Sequence, residues 1–201
     1  MLNLRPAVGR VIGPLAARLL RLGVSPDMVT VTGVIGAVVA SFALIARGQL
    51  FWGGAVVTLF VLTDALDGTM ARLRGPAGSW GAFLDSTLDR IADASIFAAL
   101  ALWYAGDGDS MVLLAVSLFC LVAGMVTSYA KARAEGLGMT CNVGIAERAE
   151  RLILVLAGII LAGIGLHIAL PIALWVLAVA SAVTVGQRLA EVRRQATAPA
   201  S

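Results

Sequence analysis

The chain is poor in charge. Only 13% of its 201 residues are Asp, Glu, Lys or Arg, about half the share of an ordinary soluble domain. With 60% hydrophobic residues and a mean hydropathy of +0.94, that scarcity excludes a water-soluble globular protein. Two cysteines, Cys120 in an apolar stretch and Cys141 in a polar loop, cannot build a disulfide framework and show no zinc-ligand spacing. The single histidine, His167, reads as a loop or interface residue and not as a ligand. The opening M-L-N-L-R-P-A-V-G-R has neither the unbroken apolar run nor the small-residue cleavage site of a secretory signal. No internal repeat and no low-complexity tract or linker precede the Ala/Pro/Ser tail at 196–201, and no nucleic-acid partner is expected.

What the chain has instead is long apolar runs. A membrane-crossing helix needs ~20 mainly apolar residues, and six stretches qualify: about 27–46, 50–72, 84–105, 110–132, 150–166 and 168–188. The expected fold is therefore all-α, a polytopic membrane protein with six spans, since lipid cannot satisfy an open backbone. Fourteen of the fifteen Lys and Arg residues fall on one side of that topology, and only Arg47 falls on the other. By the positive-inside rule the basic side is cytoplasmic, with both termini there, in the cell membrane. Residues 2–22 repeat Leu4, Val8, Val11, Ile12, Leu15, Leu19 and Leu22 at helical spacing between arginines, which predicts an interfacial amphipathic helix, kinked at Pro14. The organisation is then 1–23 interfacial helix, 24–190 membrane domain and 191–201 cytoplasmic tail. Ser25 and Pro26 suit an N-cap and first position opening the first span.

The scarce acids are clustered. At ~100° per residue, Asp64, Asp67, Gly68, Ala71 and Arg72 share one helix face. Gly81, Asp85 and Asp89 recur at i, i+4 and i+8 on the next helix, and Asp93 continues that stripe. The connecting L-R-G-P-A-G-S-W, with Gly75, Pro76 and Gly78, predicts a tight reversal that lets the two stripes converge on the cytoplasmic side. Ionisable residues among membrane spans mark function. Four like charges held close together need cations, and an oxygen-only donor set suits Mg²⁺, Mn²⁺ or Ca²⁺. Gly68, Ala71 and Gly81 leave room beside the acids, and Arg72 at the rim fits a pyrophosphate.

The pattern D-x-x-D-G-x-x-A-R-x₈-G-x-x-x-D-x-x-x-D, here Asp64 through Asp89, resembles the signature of the CDP-alcohol phosphotransferases. The resemblance implies that a lipid-linked CDP substrate, CDP-diacylglycerol, gives its phosphatidyl group to an alcohol and releases CMP. It further implies that Asp64, Asp67, Asp85 and Asp89 bind two divalent ions, Mg²⁺ or Mn²⁺, with Asp89 also the base. By the same likeness Gly68, Arg72 and, more weakly, Gly78 and Ser79 contact the nucleotide-pyrophosphate, and Asp27, Met28, Val29 and Thr30 the cytidine end. The family also implies a homodimer in membrane lipid.

The stretch Ser128-Tyr129-Ala130-Lys131-Ala132-Arg133-Ala134-Glu135, with Glu147-Arg148-Ala149-Glu150-Arg151, is similar to the actinobacterial branch whose acceptor is myo-inositol 1-phosphate. That likeness makes Ser128, Lys131, Arg151 and Arg188 the acceptor-phosphate residues. Lys131, Arg151 and Arg188 lie at three span ends on the side of the acidic motif, where cations can grip a phosphate; the weaker alternative is a positive-inside anchor, weakest for Arg151, which lies closer to the hydrocarbon. The rival enzyme reading is phosphatidylglycerophosphate synthesis with glycerol 3-phosphate. The rival of another class, a divalent-cation transporter, calls for acids spread across the membrane depth, and here they gather on one side.

Overall fold

In the computed structural model, residues 5–74 and 78–197 are described, except for the side chains of 5–12, 64, 65, 67, 72 and 74. Among the described residues there are helices and no strands. They are α1 (Arg5–Arg21), α2 (Pro26–Ala43), α3 (Leu50–Val61), α4 (Thr63–Arg74), α5 (Ser79–Ala105), α6 (Met111–Glu135), α7 (Arg148–Gly163) and α8 (Ala169–Ala196). A 3₁₀ turn, Ile45–Arg47, extends α2 and ends at Gly48, whose φ of 74° a side chain would resist. Local chemistry sets the starts. The Ser25 hydroxyl accepts from Met28 N at 3.2 Å and Pro26 opens α2, while the Ser110 hydroxyl accepts from Leu113 N at 3.3 Å at the head of α6.

Each helix of a ring packs on the next: α2 on α5, α5 on α6, α6 on α8, α8 on α7, α7 on α3 and α3 back on α2. Ile45, Val57, Ile96, Leu100, Val155, Ile159, Leu170 and Leu174 fill the middle of this ring and are fully buried. Its outer wall carries exposed Phe119, Trp175 and Val179, a surface that lipid covers and water would not. Three helical stretches are long and apolar enough to cross a membrane, Pro26–Arg47, Met111–Glu135 and Ala169–Ala196. α1 lies against α4, and α4 against α2.

Several boundaries differ from the sequence expectation. The single helix expected over 50–72 is two, α3 and α4, which separate at Leu62. At that junction the Thr63 hydroxyl donates back to Phe60 O, and a Cβ on Gly33 of α2 would sit 2.3 Å from the same hydroxyl. α8 runs on to Ala196, past the apolar stretch ending near 188, because helix formation does not stop where hydropathy does. α1 spans Arg5–Arg21 with Pro14 inside it. The reversal expected around Gly75 and Pro76 lies outside the described residues. His167 sits exposed between α7 and α8, but Cys141, expected in a polar loop, is fully buried.

Helix contact in the ring depends on small residues, as membrane helices commonly require. A Cβ on Gly163 of α7 would lie 2.1 Å from Phe51 N and 2.5 Å from Phe51 Cα, so backbone of α3 occupies that space. Gly186 on α8 has nothing within 4 Å. We therefore expect Gly163→Ala to lower the melting temperature of the purified protein in detergent, with overpacking costing about 1–3 kcal/mol. Gly186→Ala should leave it unchanged or slightly raised, because alanine is the better helix former. Equal melting curves for the two variants would rule out a close α3–α7 contact.

Candidate active site

α5 carries the second half of the acidic motif along one stripe. Asp85 is exposed near its start, Asp89 is buried one turn later at 8% exposure, and Asp93 is half-buried another turn on. α7 meets this stripe with arginines at i and i+3. The Arg148 guanidinium spans two turns of α5, with Nη2 2.8 Å from Asp89 Oδ1 and Nε 3.2 Å from Asp93 Oδ1. Arg151 Nη2 lies 3.7 Å from Asp93 Oδ2, and Arg90 Nη2 lies 3.5 Å from Asp89 Oδ2. A planar, forked cation can serve two carboxylates at once where an ammonium cannot. Burial makes the pairing obligatory, since an uncompensated charge in this setting costs several kcal/mol.

A second cluster joins α6, the 136–147 connection and α8. Arg151, 4% exposed, also donates through Nη1 to Ala146 O at 3.3 Å, and its guanidinium passes beside Gly124 of α6. Arg188 of α8, 5% exposed, donates through Nε to Val143 O at 3.0 Å and through Nη1 to Thr127 O on α6. Ser128 donates to Gly124 O at 3.1 Å, on the same segment of α6. Lys131 stands one turn further along and faces Glu135 at 3.8 Å. Ser128, Arg151 and Arg188 thus gather around one stretch of α6. Lys131 is at the edge of that cluster.

Where the nucleotide is expected, Asp27 lies in the first turn of α2, and its Oδ1 is 4.0 Å from where a Cβ on Gly81 would stand. This brings the starts of α2 and α5 together. Met28 is exposed, Val29 is half-buried, and buried Thr30 donates to Pro26 O at 3.1 Å. Gly68 is half-buried on α4, and Gly78, exposed, caps α5 with no neighbour within 4 Å. Asp64, Asp67 and Arg72 belong to α4, but their side chains lie outside the described residues. Among the described residues no three His, Cys, Asp or Glu side chains cluster as a metal site. The motif acids that are described, Asp85 and Asp89, sit on consecutive turns and offer hard oxygen donors, which suits a divalent cation.

Three partners escaped the sequence reading. In sequence Arg90 reads only as a charge on the basic side, Arg148 only as part of the stretch that carries the resemblance, and Asp93 only as a continuation of the acidic stripe. Spacing did hold a signal for them. Asp93 continues the i+4 stripe, and Arg148 sits three residues before Arg151 on the same helix face.

Comparison with known proteins adds the family. Residues 23–186 match the family model described as CDP-alcohol phosphatidyltransferase. The phosphatidylinositol phosphate synthase of Streptomyces avermitilis is 52% identical over 193 residues, covering 92% of this chain and 79% of that protein. That of Mycobacteroides abscessus is 48% identical over 190 residues, covering 94% and 86%. The crystal structure of Mycobacterium tuberculosis phosphatidylinositol phosphate synthase with CDP-DAG bound superposes with a TM-score of 0.89 at 44% identity, over 94% of this chain and 96% of that one. The same protein in complex with manganese and citrate gives 0.86 at 43% identity, over 94% and 90%.

If Arg148 holds two acids at once, its loss and the loss of one acid should not add. Arg148→Ala and Asp93→Asn should each lower the melting temperature, and the double variant should lose less than their sum. A coupling of ~1–3 kcal/mol is expected for side chains in one ionic network. Strict additivity would mean that the α5–α7 pairing contributes nothing to stability.

Proposed function

Because the chain belongs to the CDP-alcohol phosphatidyltransferase family, we infer that it transfers the phosphatidyl group of CDP-diacylglycerol to a hydroxyl of myo-inositol 1-phosphate. The products are phosphatidylinositol phosphate and CMP. Among the observations on this chain, two buried arginines carry the reading: Arg151 beside the acidic stripe and Arg188 of α8 against the neighbouring stretch of α6. Arg151 and Arg188 are 4% and 5% exposed, too deep to be simple interfacial anchors. Arg151 pairs with Asp93 and also reaches Ala146 O, and Arg188 faces backbone carbonyls. Guanidiniums held at such low exposure favour an anionic acceptor over a neutral alcohol.

Asp64, Asp67, Asp85 and Asp89 would hold two divalent ions, Mg²⁺ or Mn²⁺, which when bound neutralise the pyrophosphate of the donor. A relative of known structure has been crystallised with manganese, which supports divalent-metal use. The protein's own groups do the rest. Asp27, Met28, Val29 and Thr30 at the head of α2, with Gly68, Arg72 and Gly78, bind the nucleotide-pyrophosphate end. Ser128, Lys131, Arg151 and Arg188 grip the acceptor phosphate and aim its hydroxyl at the donor phosphorus. Asp89, fixed by Arg148 and Arg90, takes the hydroxyl proton as the new P–O bond forms. The bond between that phosphorus and the CMP oxygen breaks, and CMP leaves with the electron pair.

The setting is the cell membrane. α2, the α3–α4 pair, α5, α6, α7 and α8 make the six crossings, residues 24–190 form the catalytic domain, and 1–23 lie in the cytoplasmic interface. Residues 191–201 are a cytoplasmic tail, the site opens to the cytoplasm, and the protein works as a homodimer.

Purified protein should release CMP from CDP-diacylglycerol with inositol 1-phosphate and not with free inositol. EDTA should abolish the reaction, and Mg²⁺ or Mn²⁺ should restore it; undiminished turnover in excess chelator would remove the metal from the mechanism. Arg151→Ala should raise KM for inositol 1-phosphate by roughly ten- to a hundredfold, the scale of ~1.5–3 kcal/mol for a charged contact, and leave KM for CDP-diacylglycerol nearly unchanged. Preference for glycerol 3-phosphate would keep the phosphate grip and change the acceptor.

Cysteines placed at Ser79 and Ser110, in a background lacking Cys120 and Cys141, test the topology. An impermeant thiol reagent added to intact cells should label position 110 and spare position 79. The reverse pattern, or equal labelling, would refute the proposed orientation.

A further inference from the structure

We propose that Thr184 is a positioning residue for the acceptor site, a hydroxyl latch on α8 that sets the 143–146 turn and, through it, Arg151. The inference rests on the reading of Arg151 as an acceptor-phosphate ligand. Thr184 is fully buried, and its hydroxyl is fully used. It donates to Ala180 O at 2.8 Å and accepts from Ile145 N at 3.2 Å and Ala146 N at 3.1 Å. A threonine hydroxyl has one proton and two lone pairs, so nothing is left over. The backbone it holds is the backbone that serves the arginines: Ala146 O accepts from Arg151 Nη1, and Val143 O accepts from Arg188 Nε.

The turn is also shaped to receive this side chain. Gly144 has φ +142°, and a Cβ there would stand 2.5 Å from Thr184 Cγ2. Both the methyl and the hydroxyl of Thr184 are therefore matched to the turn. A second clamp acts further along, where the Gln195 amide donates to Thr140 O at 2.6 Å and accepts from Thr140 N at 3.0 Å. Gln195 is on the exposed end of α8, whereas Thr184 is at the level of the arginines, so Thr184 governs their position. α7 begins at Arg148, two residues beyond Ala146, and a shift in the turn moves both the Ala146 acceptor and the helix start that carries Arg151. Misplacement by about an ångström is enough to cost rate or affinity at a binding site.

The test pairs Thr184→Val, which keeps the shape and removes the hydroxyl, with Thr184→Ser, which keeps the hydroxyl. In Thr184→Val, hydrogen exchange at the Ile145 and Ala146 amides should quicken. KM for inositol 1-phosphate should rise by about tenfold, while KM for CDP-diacylglycerol stays within about twofold. Thr184→Ser should restore slow exchange and most of the acceptor affinity. Gly144→Ala offers an independent route should the valine variant not fold: it should raise the same KM, and adding Thr184→Ser should recover part of the loss by removing Cγ2. Unchanged amide exchange in Thr184→Val would overturn the latch. Equal loss for both substrates, or no rescue by serine, would make Thr184 a stability residue only and overturn its positioning role. Turnover of free inositol by the wild type as readily as inositol 1-phosphate would instead sink the acceptor reading, and the exchange result would still judge the latch.

Discussion

Two carboxylates of low exposure near the end of a membrane bundle impose the constraint from which the rest of the site follows. Asp89 and Asp93 stand one turn apart on α5, and holding such a charge out of water is costly without a cation close by. α7 supplies that charge at the matching pitch, Arg148 across both acids and Arg151 on Asp93. The two helices are therefore locked in register, not merely in contact. Once α7 is fixed in this way, the chain between α6 and α7 has to bring Ala146 and Glu147 to one place, and α8 has to hold it there. The bonds from Thr184, Arg188 and Gln195 to that connection meet this demand.

A buried ion network of this kind is a poor source of stability, because desolvation offsets most of the attraction. Its value here is orientation. A guanidinium held by a carboxylate on one edge and a backbone carbonyl on another, as Arg151 is by Asp93 and Ala146, presents its remaining face in one direction. Lysine could not be held so, since a single ammonium on a flexible stem has no edges to fix. Half-buried Lys131, which faces Glu135 from the next turn, shows the contrast within the same protein.

The sequence made the acidic motif, the stripe along α5 and the long apolar helices α6 and α8 legible, because each has a strong local period that burial or lipid imposes. It could not reveal that the helix over 50–72 divides at Leu62. No glycine or proline stands there to announce a break in the apolar run, and the division is marked by the approach of Gly33 to Thr63, a contact between distant segments. Nor could it separate Arg148 from the other basic residues, since an anchoring arginine and a paired one have the same spelling. Cys141 lies in a loop, as its sequence context predicts, and yet it is buried. Its neighbours in sequence are polar, but tertiary packing closes over its thiol.

The apolar ring and the polar end divide the work between them. The ring buries Ile45, Val57, Ile96, Leu100, Val155, Ile159, Leu170 and Leu174 and is drawn tight by glycines such as Gly163, so the helix ends emerge in fixed positions. Helix geometry then brings the acids of α5 and the arginines of α7 and α8 to one end of the bundle. The 136–147 connection packs there through Cys141, Ala146 and Gly144, and polar bonds from α8 complete its placement. On the proposed function, the helices position the chemistry of transfer and the hydrogen bonds to this connection position the acceptor, so changes there would retune the acceptor ahead of the acidic motif.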